Sequence, residues 1–245
     1  MAIEGVHGHA SRSLQLLLEA YAGARLPDWK VFSSSLRLVR LQPGEVLCRA
    51  GEVHPFLYFV HTGLMRAQAA TANGHTSTIF FSEEGDILAC MTSLAPASAR
   101  RVYERGLHPR LDDLEPAVEG RSLHTVSAAE QSVLMCGDYR VIEQLSQRHH
   151  AWAAMAAAIT TIYAMTQQAD AIWSRDTPED RYRSLLRERP NLLSRLTQRD
   201  LAAYLNVTET TMSRIAKRVR DDAYDVLDPE DDLPLPPADR GTMAG

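Results

Sequence analysis

The apolar period of this chain changes once, and the change divides it. Between residues 31 and 94 the apolar side chains come in short runs: Leu36, Leu38 and Leu41, then Val46 and Leu47, then 56–60, then 79–81. Runs of that length are strands. Turn-forming residues separate them at Pro43-Gly44, Ala50-Gly51, Thr62-Gly63, Asn73-Gly74 and Glu84-Gly85-Asp86. Asn73-Gly74 is the clearest hairpin signal, because a two-residue type I′ turn needs positive φ at both centres. Strand character returns at 123–127 and 132–135, and from Gly137-Asp138 onward the pattern is helical. Strands grouped first and helices last define an α+β chain whose N-terminal part is an antiparallel sandwich or barrel.

The remaining segments fall around this frame. Residues 1–30 form a leader with one short amphipathic helix, in which Leu14, Leu17, Leu18 and Tyr21 recur at helical spacing. The strand domain is expected over 31–137, interrupted at 95–121 by a polar insert rich in Arg, Asp, Glu and Pro, with a short helix near 98–105. A single long helix is expected over 138–173. Along it Met155, Ile159, Ile162, Thr166, Ala169 and Trp173 fall alternately four and three apart, a narrow seam of the kind that pairs with a second copy of itself. The competing role for that face is to cover its own barrel. Thr177-Pro178 opens the next helix, with Thr177 as cap and Pro178 where its missing N–H costs nothing, and Pro190 ends it. Asn191 to Ser194 then serve as a connector, the helical domain closes near residue 220, and 221–245 is expected to be a disordered acidic tail.

No run approaches the ~18 apolar residues of a membrane span, and the first ten residues lack the features of a secretory signal, so a cytoplasmic location is expected. Cys48, Cys90 and Cys136 are too far apart for a zinc motif and odd in number for a disulfide framework. The formal net charge is −5. Its distribution matters more than its total: residues 175–220 carry eleven Arg or Lys against six Asp or Glu, and the last twenty-five residues carry eight acids against one Arg. A basic segment between an acidic body and an acidic tail is the candidate for a polyanionic partner.

Within that segment, residues 196–220 hold two capped helices joined by a very short turn. Thr197 caps the first and Thr208 the second. Leu201 and Leu205 point to one side, Ala202 leaves room for close approach, and Asn206 stands where the chain reverses and a left-handed residue is needed. Val207 plugs the angle, and Met212 and Ile215 face back toward the first helix. This is a helix-turn-helix pattern. The outer face of the second helix then carries Glu209, Thr210, Ser213, Arg214 and Lys217, with Thr208 and Thr211 near its start. Arg214 offers a bidentate fork for guanine and Glu209 an acceptor for a cytosine amine, whereas Lys217, Arg218 and Arg220 suit phosphates. The alternative is a plain helical hairpin with a solvated charged face; the caps, the core pattern and the local positive charge favour DNA.

Taken in order, these motifs resemble those of the CRP/FNR family of bacterial transcription regulators. The likeness runs over 31–220. It rests on Leu41-Gln42-Pro43-Gly44-Glu45-Val46-Leu47, Ala50-Gly51-Glu52, the stretch from Phe56 to Gly63, Phe81-Ser82-Glu83-Glu84-Gly85-Asp86, Thr177-Pro178-Glu179-Asp180-Arg181-Tyr182, and the Ser213-Arg214 pair. The resemblance implies an N-terminal β-roll of the cyclic-nucleotide-binding type, a dimerisation helix at 138–173 and a C-terminal winged helix-turn-helix at 174–220. It implies a homodimer on double-stranded DNA, with RNA polymerase as a further candidate partner and an unidentified small-molecule effector.

Two departures qualify it. Cyclic-AMP-binding members place a Gly-Glu pair and an Arg-Ser or Arg-Thr pair after the Gly-Asp strand, and this chain has Ala89-Cys90-Met91-Thr92-Ser93-Leu94 there. A cyclic phosphate buried without an Arg partner carries a large desolvation cost, so ordinary cAMP control is not expected; Arg100 or Arg101 in the insert are the substitutes a cAMP-responsive alternative would need. Family members reading the commonest operators have an acid where Thr210 stands, so their operator does not transfer.

A leader without cysteine excludes the family's iron-sulfur sensors, and lone His54, His61 and His75 are weak support for haem. Cys90 has no adjacent Lys, Arg or His to depress its pKa, which argues against redox sensing. A cupin-like metal-dependent enzyme, the alternative from a different class, would need clustered ligands, and His149-His150 and His7 with His9 lack barrel context. The expectation is a non-enzyme with no metal and no cofactor.

Overall fold

A computed structural model describes residues 2–70, 76–95 and 120–227, with side chains from 8 to 222 within those stretches. The expected Asn73-Gly74 turn, almost all of the polar insert and the tail beyond 227 lie outside the described residues.

Two helices open the chain, α1 (Ala2–Ala22) and α2 (Trp29–Ser33). Eight strands follow: β1 (Arg37–Leu41), β2 (Val46–Cys48), β3 (Phe56–Thr62), β4 (Met65–Ala70), β5 (Thr76–Ser82), β6 (Ile87–Ala89), β7 (Thr125–Ala128) and β8 (Ser132–Asp138). They form two antiparallel four-stranded sheets, ordered β1-β8-β3-β6 and β2-β7-β4-β5. Between them lies a core of Tyr58, Val60, Met65, Leu88, Ala128, Leu134 and Cys136. The β3–β4 turn requires Gly63: its φ is +99°, and a Cβ there would fall 2.3 Å from the Ser132 hydroxyl.

The sequence reading misses β4 and β6. Met65 and Ala67 do alternate inward along β4, but its alanines carry no strand signal of their own. The leader is also more extensive than one short helix. Ala10, Leu14 and Leu18 of α1 are fully buried in a second core with Phe32, Leu36, Leu57, Phe59 and Met135. Gly137 in β8 makes room for it, since a Cβ there would meet the Phe32 ring at 2.6 Å.

The helix expected over 138–173 is two helices, α3 (Tyr139–Ser146) and α4 (His150–Trp173), with Asp138 capping α3. His149 is extended at the break, and its Nε2 lies 2.9 Å from the Asp28 carboxylate. Trp152 donates its indole N–H to the Pro27 carbonyl at 2.8 Å and stacks on Trp29. The leader therefore holds the break, and both helices turn apolar residues (Ile142 and Leu145, Trp152 and Met155) into the same core.

Four further helices complete the described chain: α5 (Pro178–Glu188), α6 (Pro190–Arg195), α7 (Gln198–Leu205) and α8 (Glu209–Leu227). Pro190 opens α6 at its first position, so the expected connector is a short helix. α8 extends through the first seven residues assigned to the tail; Val219, buried at 7%, continues its inward row past Met212 and Ile215. A wing would have to follow Leu227, outside the described residues. No helix among the described residues is long and apolar enough to cross a membrane.

Candidate nucleic-acid interface

The helix-turn-helix is built as its residues dictate. Thr197 accepts a hydrogen bond from the Asp200 N–H, and the Asp200 carboxylate accepts one from the Thr197 N–H, a reciprocal capping box at the start of α7. Asn206 ends α7 with φ +55°, in the left-handed region. Thr208 accepts from the Thr211 N–H at 3.2 Å and so caps α8. Ala202, Leu205, Met212 and Ile215 close the core between the helices, with Val207 packed at its edge. This core leaves the outer face of α8 in solvent.

All eight candidate DNA-contacting residues stand there in solvent: Thr208, Glu209, Thr210, Thr211, Ser213, Arg214, Lys217 and Arg218, with Arg220 beyond them. Arg218 is engaged, donating to Glu179 at 2.6 Å, so a phosphate would have to compete with that carboxylate.

Much of the local excess of Arg has an internal use that composition does not show. Arg181 is only 8% exposed; it donates to the Leu205 carbonyl at the C-terminus of α7, and its guanidinium carbon lies 5.1 Å from the centre of the Trp173 ring. Burial lowers its pKa. The arginine thus links the end of α4 to the turn of the helix-turn-helix. Its spacing of four from buried Leu185 was the available signal, since it puts both on the inner face of α5.

Other arginines bind the helical unit to the β-roll. Arg189 pairs with Glu83; Arg195 pairs with Glu84 at 2.8 Å and with Glu130 at 2.5 Å. Arg66 on β4 reaches Asp200 at 2.8 Å, so one carboxylate serves both the capping box and the junction. Burial acts to raise the pKa of Glu84, but hydrogen bonds from Arg195 and from the N–H groups of Glu84 and Gly63 outweigh it and hold the carboxyl below its ordinary value. Leu64, Phe81 and Leu192 form a small apolar core beneath these pairs, and the Phe81 ring meets Tyr204 edge-on with centroids 5.3 Å apart.

The expected dimer seam does not form one free face. Met155 is fully buried in its own chain's core and Ile159 packs against it, while Trp173 packs on Tyr204 and Arg181. The large apolar side chains left in solvent on α4 are Ile162, Met165 and Ile172, at 44%, 63% and 66% exposure, and Ala169 is exposed with them. This stripe also alternates by three and four residues, rotated from the expected seam by about 60° at ~3.6 residues per turn.

Inside the β-roll a cavity of about 50 Å³ is lined by Cys48, His54, Tyr58, His124 and neighbouring apolar residues. That is well below the ~300 Å³ at which small-molecule pockets begin. Burial lowers the pKa of both histidines and pushes the Cys48 thiol up to about 11, so these groups are uncharged at neutral pH. No described group of three or more His, Cys, Asp or Glu side chains is placed to hold a metal.

Residues 38–103 match the cyclic nucleotide-binding domain family. No curated protein matches the sequence. Among solved structures, FixK2 from Bradyrhizobium japonicum superposes with a TM-score of 0.58 at 15% identity, covering 77% of this chain and 86% of its own. A CooA mutant from Carboxydothermus hydrogenoformans gives 0.55 at 13% identity, with 84% of each chain covered. A regulator assigned to the Crp/Fnr family from Eubacterium rectale gives 0.55 at 15%, covering 79% and 82%. The chain has the CRP/FNR regulator fold, with a cyclic nucleotide-binding-type β-roll at its N-terminal end.

Proposed function

We propose that the chain is a sequence-specific DNA-binding transcription regulator of the CRP/FNR type, acting as a cytoplasmic homodimer without ordinary cAMP control. One observation carries this: a capped helix-turn-helix with a closed core leaves a hydrogen-bonding face, centred on Ser213 and Arg214, in solvent. The exposed stripe of Ile162, Met165, Ala169 and Ile172 supports pairing of two chains along α4. Two recognition helices then enter successive major grooves roughly 34 Å apart on a near-palindromic site. The small uncharged cavity of the β-roll supports a signal other than a cyclic nucleotide.

Binding selection from genomic fragments, run beside titration of cAMP and cGMP into the full-length protein, tests this reading. Selected near-palindromes without nucleotide binding are the expected result. Micromolar nucleotide binding would restore cAMP control, and failure to enrich any sequence would remove the DNA-binding reading.

A further inference from the structure

A larger cleft lies elsewhere, where the β-roll, α4 and the helical unit meet. It encloses about 310 Å³, within the range of small-molecule sites. Phe80 and Phe81 of β5 form one wall, Tyr163 and Asp170 of α4 another, and Arg189 and Tyr204 come from the helical unit. Asp86, beside the first wall, also faces in.

The chemistry of these walls is specific. Aromatic faces carry negative potential and attract cations. Two carboxylates, Asp86 and Asp170, line the space; partial burial raises the pKa of each, against the opposing pull of the Arg189 charge. The Asp86 carboxylate accepts the Glu83 N–H at 2.8 Å. Arg189 is the one cation among the described lining residues, and it is engaged by Glu83. Acids thus outnumber the free positive charge of the cleft, while Phe80, Phe81, Tyr163 and Tyr204 give it aromatic surfaces.

A second chain paired along α4 would meet the cleft at one edge, Ile162, which belongs both to the exposed stripe and to the cleft's lining. At ~3.6 residues per turn, the side of α4 that bears Tyr163 and Asp170 is roughly 160° away from Met165 and Ile172, the most exposed part of the stripe.

We infer that this interdomain cleft binds a small organic cation with a planar or apolar body, its charge held by Asp170 and Asp86 and its body placed among Phe80, Tyr163 and Tyr204. A ligand there touches both the β-roll and the helix-turn-helix unit, and so ties their relative placement. The inference does not rest on DNA binding, because its readout is ligand binding alone.

The test uses the full-length chain and three isosteric compounds of different charge: benzamidinium, benzamide and benzoate. Isothermal titration should rank them cation, then neutral, then anion. Asp170→Asn and Asp86→Asn should each weaken benzamidinium at least fivefold, while Glu143→Gln, at an exposed position on α3, should bind as the unmodified chain does. If an Asn variant does not fold, the ranking on the unmodified chain still decides. No saturable benzamidinium binding, equal binding of benzoate, or equal binding by both Asn variants would each overturn the proposal.

Discussion

At the scale of single residues, Arg214 and Lys217 sit three apart on the same exposed face but are suited to different tasks. Arg214→Ala is expected to abolish discrimination between operator and random DNA while leaving the oligomeric state unchanged, as competition binding and light scattering would show. Lys217→Ala should instead weaken all sequences alike and reduce the salt slope by about one. Both outcomes belong to the proposed function. Glu84 carries a separate, structural prediction. Its pKa is lowered in the folded state, so its ion pair with Arg195 stabilises at neutral pH, and that contribution disappears as the pH falls through the lowered value. The gap in melting temperature between the unmodified chain and Glu84→Gln should therefore be present at pH 7 and close in acid. A gap that persists in acid would show that Glu84 acts through packing.

At the scale of elements, the caps and the leader each carry a stability that single substitutions can measure. Removing the reciprocal cap of α7 with Thr197→Ala should cost about 1 kcal/mol in chemical denaturation. Leu14→Ala, at a fully buried position on α1, should cost about 2–5 kcal/mol, which would separate a core helix from a loosely attached leader. On α4, Met165→Glu with Ile172→Glu should convert dimers to monomers without loss of helicity; an unchanged dimer would place the interface elsewhere. The helix-turn-helix was legible because its signals are local: Thr197, Asn206 and Thr208 each act within four residues, and the sequence shows them directly. The face of α4 was not. Met155 and Trp173 share the period of a dimer seam, but partners far away in sequence occupy them within one chain: the leader's core buries Met155, and Tyr204 partly covers Trp173. Period reveals that a face is apolar and leaves open what covers it.

At the scale of the whole molecule, the positive excess of residues 175–220 is partly internal. Arg181, Arg189 and Arg195 add to the positive excess of residues 175–220, yet they are engaged by a carbonyl and by the acids of the β-roll. For Arg189 and Arg195 no local pattern tells a structural arginine from one that meets phosphate; the difference lies in Glu83, Glu84 and Glu130, 65 to 111 residues earlier in the chain. The short β6 and the alanine-rich β4 were likewise invisible until their neighbours in the sheets were known.

The Arg195 junction bears on how chains of this fold can be recombined. A chimera that replaced residues 174–227 with the recognition unit of another protein would leave Glu83, Glu84 and Glu130 facing a foreign surface. Without basic residues at the places of Arg189 and Arg195, those acids would repel one another and the graft would sit unlatched. A donor module for this scaffold is thus defined by two arginines on its back, whatever surface its front presents.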